Sequence, residues 1–169
     1  SYRWNYNIKL SKKSVTLSKM YYFCKLHIFQ TNQITPMEIN VITESILKCA
    51  FKVHTRLGPG LLENAYEECL HYELIKNGLF TERQKPMPLF YDSIKMDIGY
   101  RLDFMIEQRV VIEIKAIEAF NNVHIALVLT YLKLSKCHVG LLINFSAKRL
   151  EFKRVYNLNH LDNINYQKD

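Results

Sequence analysis

Hydrophobic and polar positions along this chain follow two periods. Over 38–57, Ile42, Ile46, Ala50, Val53 and Leu57 recur every three or four residues, which predicts a helix with one apolar face. Gly58-Pro59-Gly60 is a firm stop. A second helix is predicted over 61–77, with Leu62, Ala65, Tyr66, Cys69 and Leu70 as its apolar face and Gly78 just past its end, where a left-handed residue is needed. Period two then takes over. After Gln84-Lys-Pro-Met-Pro88 a short strand is expected over 89–91, followed by a turn at Asp92-Ser93. Tyr100, Leu102, Phe104 and Ile106 alternate with Arg101, Asp103 and Met105, and the β-branched run over 109–117 is of strand type. Asn121-Asn122 can cap a helix reaching 135, with Val123, Leu127, Thr130, Tyr131 and Leu134 as its face. The unbroken apolar run over 139–145 predicts a buried strand, and 150–156 an edge strand.

The two strands around 100–117 leave only Glu107-Gln108-Arg109 for their turn. Folding about Gln108 makes paired positions sum to 216, so Asp103 lies opposite Glu113. Directly opposed side chains have Cβ atoms about 4.5–5.5 Å apart, and like charges there repel unless something neutralises them. A cation would do so. Lys115 shares the face of Glu113 because side chains alternate. Two readings of this cluster stand: an ordinary polar face with Lys115 and Arg101 as partners, or a cation site. The second gains from the second strand, where Val110, Val111, Ile112, Ile114, Ala116 and Ile117 predict cover on both faces, a setting in which acids seldom sit unpaired.

The spacing of Asp103, Glu113 and Lys115 resembles the motif of the PD-(D/E)XK nuclease superfamily. Gly60-Leu-Leu-Glu63-Asn-Ala-Tyr66 matches the motif that names its GxxExxY family. Leu57-Gly-Pro-Gly60, Glu82-Arg-Gln-Lys-Pro86, Gly99-Tyr-Arg101, His124, Tyr131-Leu-Lys-Leu134 and Gly140-Leu-Leu-Ile-Asn-Phe145 extend the similarity in order, from about Glu44 to Val155. The resemblance implies an α/β fold with the PD-(D/E)XK nuclease-like core, α-β-β-β-α-β, a central mixed sheet flanked by helices. It implies a domain over 38–158, between a basic extension (1–37) and a polar tail (159–169).

It also implies chemistry. Hydrolysis of a phosphodiester needs a nucleophilic water and charge neutralisation, which a hard divalent cation supplies, and Mg (or Mn) takes oxygen ligands. The implied metal ligands are Asp103, Glu113, the Ile114 carbonyl and Glu63, the last directly or through water. Lys115 would orient or help deprotonate the attacking water, or simply pair with Glu113. Glu63 alternatively offsets the dipole of its helix. Where many GxxExxY sequences carry Gln-x-x-x-Tyr, this chain has Leu127 before Tyr131. Tyr131 faces the site or fills the core, and His124 meets phosphate or caps its helix. The implied function is a metal-dependent nuclease acting on DNA; the alternative is a catalytically weak or inactive module of the same fold that binds nucleic acid or protein.

Charge adds a restriction. Of the net +7, residues 1–37 carry six basic and no acidic groups, while 38–169 carry seventeen basic and sixteen acidic ones. The domain is thus nearly neutral, and overall charge says little about its ligand. Residues 1–36 read as a basic arm, a targeting presequence or a stretch upstream of a natural start at Met37, with the last preferred because family-like sequence begins after it. Cys24, Cys49, Cys69 and Cys137 form no CxxC or zinc-type spacing and read as thiols of a reducing, cytoplasmic compartment. No apolar run approaches the ~18 residues of a membrane span.

Overall fold

The structure, a computed structural model, describes residues 36–157. The expectations for the basic extension and the polar tail lie outside them.

Helix α1 (Pro36–Leu57) and helix α2 (Glu63–Lys76) come first, followed by strands β1 (Thr81–Tyr91), β2 (Ile94–Ile106) and β3 (Val110–Lys115), helix α3 (Asn122–Ser135), and strands β4 (Val139–Asn144) and β5 (Glu151–Tyr156). The sheet runs in the order β1-β2-β3-β4-β5. Among the described strands only β3 and β4 pair in parallel, joined through α3 as a parallel pair requires. One face carries α1 and α2, with Ile46, Ala50, Tyr66, Leu70 and Leu74 against Phe104, Ile112, Ile114, Leu141 and Phe145. The other carries α3, with Val128, Tyr131 and Leu132 against Met105, Val111, Leu142 and Val155. This is the α/β core expected of the PD-(D/E)XK fold.

Local chemistry explains the element ends. Gly78 (φ 76°) follows α2; its N–H donates to the Ile75 carbonyl and that of Leu79 to Leu74, the Schellman pattern. Gly58 and Gly60 take φ of 66° and 104°, and the Tyr66 hydroxyl pins this loop by donating to the Gly58 carbonyl at 2.7 Å and accepting from the Leu61 N–H at 3.1 Å. Asn121 caps α3, accepting from the N–H groups of Val123 and His124, while its own N–H donates to His124 Nδ1. His124 is therefore a capping residue. Gly140 lets α3 close on β4: a Cβ there would lie 2.6 Å from Val128 Cγ1.

Three expectations need correction. β1 is far longer than 89–91 because Pro86 and Pro88, which argue against a central strand, are tolerated on the sheet edge. Leu62 is not on an apolar face: it is the residue preceding α2 and is 76% exposed. The buried stripe of α3 is Val128, Tyr131 and Leu132, with Val123 exposed. Its sequence is apolar nearly all round, so periodicity could not choose a face.

Candidate metal centre

The turn between β2 and β3 places Glu107 (φ 52°) and Gln108 (φ 56°) at its centre, with Arg109 N–H donating to the Ile106 carbonyl, a type I′ turn. Arg109 is a third loop residue, so Ile106 pairs with Val110, Met105 with Val111 and Phe104 with Ile112. There the ladder stops. At the next position the Asp103 carboxylate itself takes the partner strand's amide, Oδ2 accepting from Ile114 N–H at 2.8 Å. The alternation of β2 also slips here, since Leu102 packs on the α3 side with Met105 while Phe104 packs on the other. On the far side of β2, the ladder with β1 passes from Arg83↔Phe104 to Lys85↔Leu102, and the intervening Gln84 has φ 51°. Both strands are distorted where they hold Asp103.

β3, by contrast, stays regular and paired to β4 through Lys115↔Asn144. Glu113 is almost fully buried, at 3% exposure. Its Oε1 accepts from Lys115 Nζ at 2.6 Å, and its Oε2 is buried without any hydrogen-bond partner. The Lys115 ammonium also donates to the Ile114 carbonyl at 2.8 Å and reaches Glu63 Oε1, on the first turn of α2, at 3.5 Å. It thus touches three of the four oxygen groups expected to ligate a metal, and stands where a cation is wanted. Asn144, fully buried, fixes the exit of β3 by donating to the Ile117 carbonyl and accepting its N–H.

Electrostatics follow from this crowding. Burial raises the Glu113 pKa to about 7, helped by the Asp103 charge and only partly opposed by Lys115. Asp103 is also raised, first by burial and then by Glu67 and Glu63, against the lowering effect of the Ile114 N–H and Lys115. Burial alone would lower Lys115, but its bond to Glu113 and the charges of Glu113, Glu63 and Asp103 raise it on balance. Tyr131 is raised too, by burial and then by Glu113 and Asp103, so its hydroxyl keeps its proton.

An open cleft of about 640 Å³ lies in front, lined by Glu63, Glu67, Gln84, Arg101, Asp103 and Tyr131 among others. Glu113 and Lys115 are not part of this lining. Of the residues singled out in the sequence, Asp103, Glu113, Lys115, Glu63 and the Ile114 carbonyl come together, with Tyr131 on the cleft wall. Leu127 packs against the apolar α3 cluster. Sequence reading gave no site role to Glu67 and Gln84, whose approach depends on how α2 docks on β1, and named Arg101 only as a charge partner of the acidic face. Among the described residues no three His, Cys, Asp or Glu side chains converge tightly enough to hold an ion unaided. The oxygen-only donors and the orphaned Glu113 Oε2 nevertheless fit a hard divalent cation.

The model of the PD-(D/E)XK nuclease superfamily matches residues 40–155. The chain belongs to that superfamily. No curated protein matches it. Among solved structures, one described as "Crystal structure of SSO0001" aligns with 91% of this chain and 88% of its own at 15% identity and a TM-score of 0.46. No helix among the described residues of this superfamily member is long and apolar enough to cross a membrane.

Proposed function

We propose that the chain is a divalent-cation-dependent phosphodiester hydrolase acting on DNA, of the GxxExxY type within its superfamily. The observation that carries this reading is the buried Glu113 beside the half-buried Asp103, with one Glu113 oxygen unmatched and an ammonium lodged among the surrounding oxygens. Asp103, Glu113, the Ile114 carbonyl and Glu63 would hold Mg or Mn. When bound, the cation supplies charge against the phosphate oxygens and makes water more acidic. Lys115, held protonated by its neighbours, donates to the attacking water or the phosphate and balances developing charge; this favours orientation over proton abstraction. Tyr131 serves as a donor and not a base. Arg101, exposed on the cleft, is placed to meet a phosphate.

A second reading, a non-catalytic binding module, draws on one observation: Leu127, where a polar residue would serve a nuclease, belongs to the apolar packing of α3. Manganese titration separates the two parts of the proposal. Cation binding to the native state should raise the melting temperature, by about 2.7 kcal/mol of stabilisation at a hundredfold excess over Kd, and Asp103→Asn should remove most of the rise. An equal rise in both proteins would discard the metal site. A lost rise in Asp103→Asn without DNA cleavage by wild type would leave the binding module.

A further inference from the structure

Gln84 stands out because nothing in its sequence surroundings calls for its backbone. It is the fourth residue of an eleven-residue strand, is not glycine, and has φ 51°. A left-handed conformation is unfavourable for an ordinary L-residue and persists only where the surroundings over-determine it. Here they do so through one side-chain nitrogen. Gln84 Nε2 donates to Glu67 Oε1 at 2.7 Å and lies 3.5 Å from Asp103 Oδ1. Glu67, 8% exposed, is anchored in turn by Arg83 Nε at 2.6 Å on the same oxygen, and Arg83 also grips Glu68. The order is therefore Arg83 to Glu67, Gln84 between Glu67 and Asp103, and Ile114 N–H to the other Asp103 oxygen.

An amide nitrogen carries two hydrogens and no charge, so a single Gln can serve two carboxylates that would otherwise face each other. A Lys or Arg in its place would compete with a cation for Asp103; an acid would add a third like charge. We propose that Gln84 is a positioning residue: its left-handed backbone aims the amide so that the Asp103 carboxylate is held between two donors, its orientation set and its approach to Glu67 kept neutral. This deepens the cation-site reading and rests on it for its functional meaning. Arg83 and Glu67 are the fixed end of the arrangement, tying α2 to the strand that carries Gln84.

Two substitutions separate aiming from mere backbone support. Gln84→Gly removes the amide and relieves the left-handed conformation, whereas Gln84→Met removes the amide but keeps the length and the strain. If Gln84 positions Asp103, both variants should bind manganese about 10–100-fold more weakly by calorimetry, the range in which loss of a supporting partner falls. This should hold for Gln84→Gly even if its metal-free stability equals or exceeds that of wild type. Wild-type manganese affinity in both variants would overturn the inference. If wild type shows no Asp103-dependent manganese binding, the cation reading falls by itself. The contact is then judged in metal-free protein by the urea midpoints of Gln84→Gly, Asp103→Asn and the double variant. Non-additive midpoints would support the Gln84–Asp103 link, and additive ones would overturn it.

Discussion

Glu73 and Glu113 are the same residue at the same depth, each 3% exposed, and the molecule treats them in opposite ways. Glu73, on α2, receives Lys52 Nζ on one oxygen at 2.6 Å and Arg56 on the other at 3.4 Å, and its backbone carbonyl accepts from Asn77 and from the Cys49 thiol. The Lys52 hydrogen bond, with the charges of Lys52, Arg56 and Lys76, holds its carboxyl below the usual range despite burial. Glu113 has one ammonium shared with two other oxygens, a carboxylate neighbour and an oxygen with nothing, and its pKa climbs. Burial of an acid is therefore no mark of function. The mark is an acid whose needs the fold leaves unmet, since structural glutamates are satisfied where they lie.

The comparison can be broken most forcefully at Lys115. If that ammonium is part of the reaction and not only the Glu113 partner, Lys115→Met should cut manganese-dependent DNA cleavage by about 10²–10⁴-fold, the usual span for a positioned proton donor or acceptor, while Lys52→Met beside Glu73 leaves the rate unchanged. A gel assay on single- and double-stranded DNA reads both, and equal rates in wild type and Lys115→Met would reduce Lys115 to a salt-bridge partner.

The next effect is one of sign and is read in metal-free protein as stability against pH. The folded-state pKa of Glu113 is raised from 4.5 to about 7, so the native state binds the extra proton and its contribution erodes as pH rises through that window. Glu73 is lowered, so its contribution is present above about 4.5 and is lost as pH falls below it. Glu113→Gln should therefore gain on wild type as pH rises from about 4.5 to about 7 and keep that gain above it, whereas Glu73→Gln should lose about 1 kcal/mol at neutral pH. Urea midpoints across pH test this, and a Glu113→Gln protein less stable than wild type at pH 8 would contradict the picture of an unmet acid.

Glu63 offers the finest cut. As a partner of the cation site, Glu63→Gln should weaken manganese binding with metal-free stability nearly unchanged. As a charge on the α2 dipole only, the same change should cost about 0.3–1 kcal/mol without metal and leave manganese affinity alone. Denaturant midpoints and calorimetry on one preparation decide.

The β2–β3 register was legible because a three-residue turn and a β-branched run leave a single alignment, and one slipped residue would bury the charges among isoleucines; that the ladder would end one pair short of Asp103 and Glu113, with the Asp103 carboxylate taking the Ile114 N–H, was not. The caps at Asn121 and Gly78 were legible for similar reasons, being short-range chemistry. What escaped was long-range or backbone-specific. Nothing around Gln84 announces a positive φ, and Glu67 looks like one of several acids on an exposed helix until α2 is docked on β1. The true buried face of α3 was hidden by a helix apolar on every side. Glu63 was found through family resemblance and not through pattern, since a first-turn glutamate has an ordinary explanation.

Because the β2–β3 ladder ends at Phe104 and Ile112, the sheet has a seam. Three residue pairs join β2 to β3, where β3 and β4 share six and β1 and β2 share nine. Opening along that line separates the fewest paired residues of any cut between neighbouring strands of the sheet. It also leaves Asp103 and Gln84 on one leaf and Glu113 and Lys115 on the other. A ligand gripping both leaves acts as a staple across the shortest ladder of the sheet, and slower amide exchange at Ile112 and Phe104 would report its arrival.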